Sequence, residues 1–452
     1  MKKLSLFLII SKLAFAQTIS FEEALNQTIE NSKDLQKQKI NIDIAKTNSD
    51  FIDGLNFGKV SLNSDISRTN HSGYVFMGKL SSREATFKDF GFSQMNEGIN
   101  TAPKDLNYPD SYTSINSYIS YDLPLFTGFA LYHQKGILKL QEKANEILYN
   151  LDKKTLEFEV LKAYNSAVLA KDFVKTMQKA KDTIGFIKNG AKEFHKNGLV
   201  TKIDVNEAEL YFLNTNSNLI EAENNFKLSL AYLKFLTSNE NISDVENLQN
   251  TYLEIKEFED LYKIALKNRD EITLQNISIE ANNKNIKANQ GSYYPSVFTH
   301  LEYGYNDDKF STSKDKDYYM ALLGISLTLF DGTRSANLEK SRLEYLKAKL
   351  DFEKLQDGIK LEVQKAILDY KAKQEILKEK ILASELASSV LNQAKLQYKN
   401  RLISMTTLLS QETNYRQSQT MLLNAKYENS LALARLNLVL GQNLQKDYKW
   451  DF

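Results

Sequence analysis

Residues 318–332 read YYMALLGISLTLFDG. The side chains of this stretch alternate between two sides of an extended chain, and the apolar side carries Tyr319, Ala321, Leu323, Ile325, Leu327 and Leu329. A period of two predicts a strand with one apolar face. The strand leads into the sequence LFDG, after which the chain contains no proline. The stretch therefore predicts a strand that passes directly into a helix.

Three further segments alternate in the same way, so the sequence predicts four strands, at residues 57–68, 112–127, 295–306 and 317–331. Each is close to the roughly 9–11 residues that a tilted strand needs to cross a bilayer. Four strands cannot close a barrel around water. A membrane barrel would therefore require several copies of the chain; the alternative is a soluble sandwich. The loop between the first two strands, roughly residues 68–112, is predicted to be external because the external loops of such barrels are the long ones.

Helical patterns fill the proline-free parts of the chain. Apolar residues recur with heptad spacing from 129 to about 190, and similar patterns run over about 205–237, 333–396 and 407–440. This spacing is typical of coiled coils. A helix of about 60 residues is ~90 Å long. The sequence thus predicts a mainly helical protein built to cross a distance.

The chain is an internal duplication. LFTG at 125–128 recurs as LFDG at 329–332, and EVLKA at 159–163 recurs as EVQKA at 362–366. The offsets are 204 and 203 residues, and similarity at nearly the same offset indicates a repeat architecture. Residues 17–240 form the first predicted repeat and 241–452 the second, each with a helix, two strands and a long helical hairpin. Residues 1–16 have the basic start, short apolar run and A-F-A site of a signal peptide that directs export.

Composition excludes several classes of function. The net charge of +1 gives no basic field for nucleic acid, and the absence of cysteine removes thiolate metal sites, disulfides and a lipid-anchor cysteine. After residue 16 no apolar run reaches the ~18 residues of a membrane helix. The four histidines are scattered, and no catalytic or phosphate-binding motif is present. We expect no enzyme activity, no cofactor and no metal.

Residues 195–205, HKNGLVTKIDV, interrupt the first long helical pattern, and residues 400–408, NRLISMTTL, interrupt the second at the equivalent place. Gly198 permits the positive φ of a tight turn. Thr201 and Ser404 are suited to cap the returning helices. Apolar groups at an exposed tip favour a docking surface, which we predict at Gly198, Leu199, Val200, Thr201, Arg401, Leu402, Ile403 and Ser404.

The strand-to-helix junctions, the duplicated halves, the YYPS sequence at 293–296 and the NGLVTKIDV turn together resemble the TolC family of outer-membrane efflux channels. The resemblance covers the whole mature chain. It implies a homotrimer in which each subunit gives four strands to a twelve-stranded barrel in outer-membrane lipid. The helices would form a barrel through the periplasm, with shorter helices as a belt. The implied partners are a periplasmic adaptor and an inner-membrane transporter of the resistance-nodulation-division class, as in multidrug efflux.

The family's tip motifs map onto particular positions of this sequence. The GLV and Asp-Val elements match Gly198, Leu199, Val200, Asp204 and Val205. In the family, the matching tyrosine and aspartate tie neighbouring tips shut, so Tyr398 and Asp204 are gate candidates. Thr407 and Ser410 are candidates for the constriction because they occupy the positions of the family's acidic ring. This chain lacks those acids, lacks the gate arginine at Ile403, and has Arg401 where glycine is usual.

Other interpretations remain open at the level of sequence. Asp204 and Tyr398 could serve only in turn capping and core packing. The chain could be the duct of a type I protein-secretion system, because tunnel shape does not reveal the cargo. It could also be a secreted coiled-coil structural protein or adhesin without a pore. In that case the strands would have no reason to be apolar on one side only.

Overall fold

The computed structural model describes residues 17–247 and 256–442, so the predicted signal peptide lies outside the described residues. The helices in these ranges are α1 (Phe21–Asn31), α2 (Lys33–Asn56), α3 (Ser72–Ser81), α4 (Lys104–Asn107), α5 (Ala130–Lys196), α6 (Lys202–Thr237), α7 (Phe258–Asn268), α8 (Asp270–Gln290), α9 (Arg334–Lys399) and α10 (Met405–Val439). The strands are β1 (Gln17–Ile19), β2 (Lys59–Thr69), β3 (Tyr112–Thr127), β4 (Ile242–Val245), β5 (Ser296–Asp307) and β6 (Asp317–Ser326).

The order of these elements confirms the predicted fold class. Each half of the chain runs through a short strand, two helices, two longer strands and two long helices. The protein is mainly helical, and its two halves carry the same order of elements. Helices α5 and α9 contain 67 and 66 residues, which agrees with the long heptad patterns. No helix within residues 17–247 and 256–442 is long and apolar enough to cross a membrane.

The chain divides into two compact units. The sheet unit comprises Ile42–Ala144 and Ile277–Lys349, and the helical unit comprises the described residues of 1–41, 145–276 and 350–452. Each unit therefore contains residues of both repeats. The boundaries between the units fall within helices α2, α5, α8 and α9.

The sheet unit contains one antiparallel sheet in the order β2-β3-β5-β6. Leu62 pairs with Ile119, Ile119 with Tyr303, and Tyr303 with Tyr319, so one row across the sheet is apolar. The neighbouring row pairs Ser61 with Ser120 and Ser120 with Glu302. Since successive side chains point to opposite faces, the alternation in the sequence becomes one apolar and one polar face.

The last strand ends earlier than the sequence pattern suggests. β6 ends at Ser326, which pairs with Ser296, whereas the alternation continues to residue 330. Its partner β5 begins only after Pro295, which has no N–H to donate to a ladder. Residues 327–331 therefore have no strand to pair with on that side, and β6 is an edge strand with no partner within the described chain.

The helical unit contains an apolar cluster for each repeat. The first cluster surrounds Tyr164, whose side chain is fully buried on α5. The Tyr164 hydroxyl donates to Ile19 O at 2.8 Å and accepts from Glu246 N at 3.0 Å. These bonds attach α5 to β1 and β4, which form a parallel two-stranded sheet. The second cluster packs α7, α9 and α10 around Tyr370.

Candidate functional site

The two turns that interrupt the long helices have the same backbone geometry. In the first, Leu199 N donates to Phe194 O at 2.8 Å and Gly198 N donates to His195 O at 2.9 Å. In the second, Leu402 N donates to Gln397 O at 2.9 Å and Arg401 N donates to Tyr398 O at 2.9 Å. This pair of bonds defines a Schellman motif, which satisfies the last carbonyls of a helix. We name the two turns the helical tips, residues 194–205 and 397–408.

A Schellman motif requires a left-handed residue, and the two tips meet this need differently. Gly198 has a φ of +67°, and Arg401 has a φ of +65°. The glycine adopts this conformation without steric cost, whereas an L side chain pays roughly 1–2 kcal/mol. The second tip is therefore held in a strained conformation that the first tip avoids.

Each returning helix begins with a side-chain cap. Thr201 Oγ1 accepts from Asp204 N at 3.3 Å, and the Asp204 carboxylate accepts from Thr201 N at 2.8 Å. Hydrogen bonds from the Thr201 side chain and backbone lower the pKa of Asp204. In the second tip Ser404 Oγ accepts from Thr407 N at 3.1 Å. Thus Thr201 and Ser404 cap the helices, and Asp204 completes a capping box.

A shared apolar cluster holds the two tips together within the helical unit. It is formed by side chains of α5, α6, α9 and α10, namely Ile184, Ile187, Ala191, Val205, Ala208, Leu391, Ala394, Met405, Leu408 and Leu409. Tyr398 and Ile403 pack against this cluster. The pattern of buried residues explains why the tips are fixed relative to one another, although they lie some 200 residues apart in sequence.

Tyr398 has an unusual environment for a tyrosine. Its hydroxyl is buried and has no hydrogen-bond partner in the structure. Burial raises the pKa of Tyr398, and the negative charge of nearby Asp204 adds to this effect. The structure therefore brings the two predicted gate residues into one electrostatic environment, with the phenol left without a hydrogen bond.

The other predicted tip residues lie at the surface. Leu402 is 72% exposed and Leu199 43% exposed. Thr407 and Ser410 are also exposed, whereas Val200 and Ile403 are half-buried. A groove of about 880 Å³ runs beside the tips between α5 and α9, lined largely by apolar side chains such as Phe186, Phe194 and Leu396.

Glu412 is a residue that the motif search missed. It lies on α10 beside the tip cluster, is 2% exposed, and its Oε2 has no hydrogen-bond partner. Burial raises the pKa of Glu412, and the charges of Arg416 and Lys395 only partly oppose this shift. The signal in the sequence is that Leu408, Glu412 and Tyr415 follow helical spacing, which places a carboxylate in an apolar stripe.

The polar face of the sheet carries a connected network of side chains. His300 Nδ1 lies 2.6 Å from Asp122 Oδ1, and His300 Nε2 lies 3.2 Å from Glu302 Oε2. Tyr318 donates a hydrogen bond to Glu302 and lies within hydrogen-bonding distance of Asn116. The network joins β3, β5 and β6, so the polar face is a continuous hydrogen-bonded surface.

One acidic cluster lies at the end of the sheet, where Glu84, Asp307 and Asp308 approach one another. Lys316 Nζ lies 2.8 Å from Glu84 Oε1 and 3.7 Å from Asp307 Oδ1. The hydrogen bond that Lys316 donates to the Glu84 carboxylate raises the pKa of Lys316. The lysine thus supplies the positive charge that the cluster needs, and the arrangement is that of an ion-pair network.

Comparison with known proteins bears out the family resemblance. Residues 261–442 match the model of the outer membrane efflux protein family. No protein with curated annotation matches the chain. Solved structures share its fold: CusC with 14% identity, 95% of this chain and 93% of that one covered and a TM-score of 0.77, and the Campylobacter jejuni CmeC outer membrane channel with 14% identity, 95% and 87% covered and a TM-score of 0.75. A third is the Neisseria gonorrhoeae MtrE outer membrane channel in its open state, with 15% identity, 94% and 90% covered and a TM-score of 0.75.

The strain at Arg401 predicts that removing glycine from the first tip and introducing glycine at the second have opposite effects on stability. Gly198→Ala should destabilise the first tip by about 1 kcal/mol, and Arg401→Gly should stabilise the second by a similar amount. Amide hydrogen exchange of residues 194–205 and 397–408 measures this as a roughly fivefold change in local opening. Gly190→Ala is the control, because that glycine lies inside α5 with open space around it and alanine favours a helix there. Slower exchange in Gly198→Ala would contradict the turn geometry.

The buried carboxyl predicts a stability that depends on pH. Below its unfolded-state pKa, near 4, Glu412 is neutral in both states and costs nothing. As the pH rises through the elevated folded-state pKa, the carboxyl becomes charged while buried, and the protein loses the stability that it has with a neutral Glu412. Glu412→Gln should therefore raise the free energy of unfolding at pH 7 by about 1–3 kcal/mol and much less at pH 4, measured by urea unfolding. The exposed Glu379→Gln variant is the control, and an equal effect at both pH values would contradict the prediction.

Proposed function

We propose that this chain, which shares its fold with outer-membrane channels and matches an efflux family in its second half, is the outer-membrane exit duct of a tripartite efflux pump. It would conduct drugs or other small solutes passively. An inner-membrane transporter of the resistance-nodulation-division class would supply the energy, and a periplasmic adaptor would join the two. We expect no enzyme activity, in keeping with the match to the outer membrane efflux protein family.

The proposal rests mainly on one observation, that the sheet has one apolar and one polar face. The apolar face exposes large side chains, including Leu62 at 79% and Leu323 at 65% exposure. The opposite face carries Ser120, Asn116 and the network around His300. A sheet that leaves aliphatic side chains uncovered on one face and hydrogen-bonded polar groups on the other suits a wall between lipid and water.

The open edges of the sheet support closure by further copies of the chain. β2 and β6 are edge strands, and an unpaired edge leaves a row of N–H and C=O groups unsatisfied in lipid. The four strands alternate in direction, so the edge strands β2 and β6 run in opposite directions. β6 of one copy would therefore meet β2 of the next in antiparallel fashion. Three copies give the twelve strands that the family resemblance implies.

The helical unit also leaves apolar stripes without cover. Helix α9 exposes Leu361, Leu368, Leu382 and Leu396, which follow multiples of seven residues. Helix α6 exposes Leu213, Ile220 and Phe235. Heptad stripes are covered by partner helices in coiled coils. Contact between the helices of neighbouring copies would cover both stripes and complete a helical tunnel.

The tips are the proposed contact with the adaptor and the proposed gate. Leu199 and Leu402 offer exposed apolar groups at two similar turns. Tyr398, with its buried hydroxyl without a partner, and nearby Asp204 are the proposed gate pair. The constriction would lack a ring of acids, because Thr407 and Ser410 are uncharged.

A matched pair of substitutions tests the membrane assignment of the sheet. Leu62→Arg places a charge on the apolar face and should cost about 2–4 kcal/mol in the bilayer. Asn63→Arg places the same charge on the polar face and should be tolerated. The measurement is the amount of heat-dissociable trimer in outer-membrane fractions. A monomer that remains soluble without detergent, or equal loss of trimer in both variants, would reject the proposal.

The adaptor assignment predicts a separate defect at the tips. Leu402→Asp should reduce capture of the cognate adaptor and efflux of a fluorescent drug by tenfold or more, because a charge replaces an exposed apolar anchor. Trimer yield should be unchanged. Lys371→Asp provides the control, as an exposed position on α9 outside the helical tips. Normal efflux in Leu402→Asp would reject this role, and secretion of a protein in place of drug efflux would indicate a type I secretion duct.

A further inference from the structure

Helix α3 lies in the connection between β2 and β3 and is unusual for an exposed loop. Its sequence, SGYVFMGKLS, contains a single charged residue, Lys79. Lys79 is paired with Asp89 further along the same connection. Hydrogen bonds from Lys79 and Thr86 lower the pKa of Asp89 to about 2, although partial burial opposes this shift. The helix therefore presents almost no free charge to its surroundings.

The helix packs against the polar face of the sheet. A Cβ at Gly78 would lie 3.1 Å from the ring of Tyr112 and 3.5 Å from Ser114 Cβ. Tyr112 and Ser114 share the face of Asn116 and Asp122, since they differ by even numbers along β3. Ser82 Oγ and Tyr112 Oη are 2.6 Å apart, which secures the end of the helix to the same face.

The short connection between β5 and β6, residues 308–316, together with the start of β6, grips the end of α3. Lys316 Nζ donates to Ser82 O at 2.6 Å, where a cation is favoured at a helix C-terminus. Arg83 donates to Asp315 O at 2.9 Å and to Asp317 O at 2.6 Å. Arg83 adopts a φ of +57° in making these bonds. The two loops thus hold α3 in a defined position.

The side of α3 that points away from the sheet is apolar. Tyr74 is 69% exposed and Met77 is 60% exposed, and Leu80 lies three residues further on the same side. The buried side carries Val75 and Gly78. A surface helix in water normally places its charged residues outward. An apolar outward side indicates that something covers it.

We propose that α3 of three copies of this chain meet through Tyr74, Met77 and Leu80 and form an apolar lid across the outer mouth of the pore. This inference rests on the proposed trimeric channel. Lipid is not the occupant, because α3 lies on the polar face, opposite the side chains that would contact the bilayer. What faces that side across a closed ring of strands is the same helix of the other copies.

The dimensions of the ring make this contact unavoidable. Twelve strands spaced ~4.8 Å apart and tilted by ~40° enclose a backbone diameter of about 24 Å. A helix with its side chains is roughly 10 Å wide. Three such helices packed side by side occupy a circle about 22 Å across, so at the mouth of the ring they meet one another near its axis. An apolar surface is then the chemistry that closes the mouth to ions, since their transfer into it is costly.

Cysteine crosslinking in the assembled trimer tests the lid, because the chain contains no cysteine of its own. Under mild oxidant, Met77→Cys should form disulfide-linked dimers within trimers. Each trimer holds three cysteines, so two of them pair and the third stays free. Leu80→Cys gives a second position on the same side if the first variant folds poorly. Tyr108→Cys is the control, an exposed position on the same connection but outside α3, and should give no dimers.

Trimer formation by each variant is checked first on an unheated gel. If the parent protein forms no trimer, the proposed channel is refuted. If trimers form but show no crosslinks at Met77 and Leu80, only the lid is refuted. A fluorophore on Met77→Cys that is quenched by brominated lipid tails would also overturn the lid, because it would place α3 in the bilayer.

Access to the pore from outside provides an independent measurement. In intact cells, a membrane-impermeant maleimide should label Asn63→Cys on the polar face slowly. Adding Tyr74→Asp and Met77→Asp should speed that labelling by tenfold or more, because three charged helices repel one another. The matched control adds Ile99→Asp and Tyr108→Asp, which lie outside α3 in the same connection. Equal labelling rates in both backgrounds would overturn the lid.

Discussion

In the part of the chain that the structure describes, the four-stranded sheet leaves large aliphatic side chains uncovered along one face and leaves both of its edges unpaired. In water this arrangement would be unfavourable, because the exposed apolar face loses the roughly 25 cal/mol that each Å² of buried apolar surface contributes. Each open edge would also invite aggregation. Within residues 17–247 and 256–442 a large part of that face stays exposed, and α3 packs on the opposite one. The sheet therefore suits the proposed channel, in which lipid meets the apolar face and further strands meet the edges. Export, oligomerisation and the water-filled interior of the proposed channel all fit this arrangement.

The helical unit distributes its stability unevenly along α10. Asn165 Nδ2 donates to Ser430 Oγ at 2.9 Å in a buried contact, so this polar pair is satisfied and fixes the register of α5 against α10. Closer to the tips, Glu412 is buried without a partner for its Oε2, and Arg401 is held at positive φ. Both features cost free energy in the present arrangement, and both belong to the second hairpin. Strain of this kind beside the second tip lowers the free energy needed to open that tip locally.

Sequence reasoning succeeded where the signal is local and failed where it depends on distant pairing. The alternation in β2, β3, β5 and β6, the helix caps at Thr201 and Ser404, and the turn at Gly198 are each encoded within a few residues. β1 and β4 were missed because three and four residues show no period and their parallel pairing joins the two repeats. The contact between His300 and Asp122 depends on the register of β3 against β5, which one sequence does not reveal. The early end of β6 depends on where its partner begins.

The duplication shows which parts of the chain share a task and which do not. The two tips keep the same Schellman bonds and the same caps despite different residues, as expected if both meet one partner in equivalent ways. The two strand connections have diverged: one holds α3, and the other is short and supplies Lys316 to hold it. Loops tolerate such divergence because they carry little of the core. The short connection leaves room for α3 at this end of the sheet and holds the end of that helix through Lys316, so the two unequal connections act as one unit.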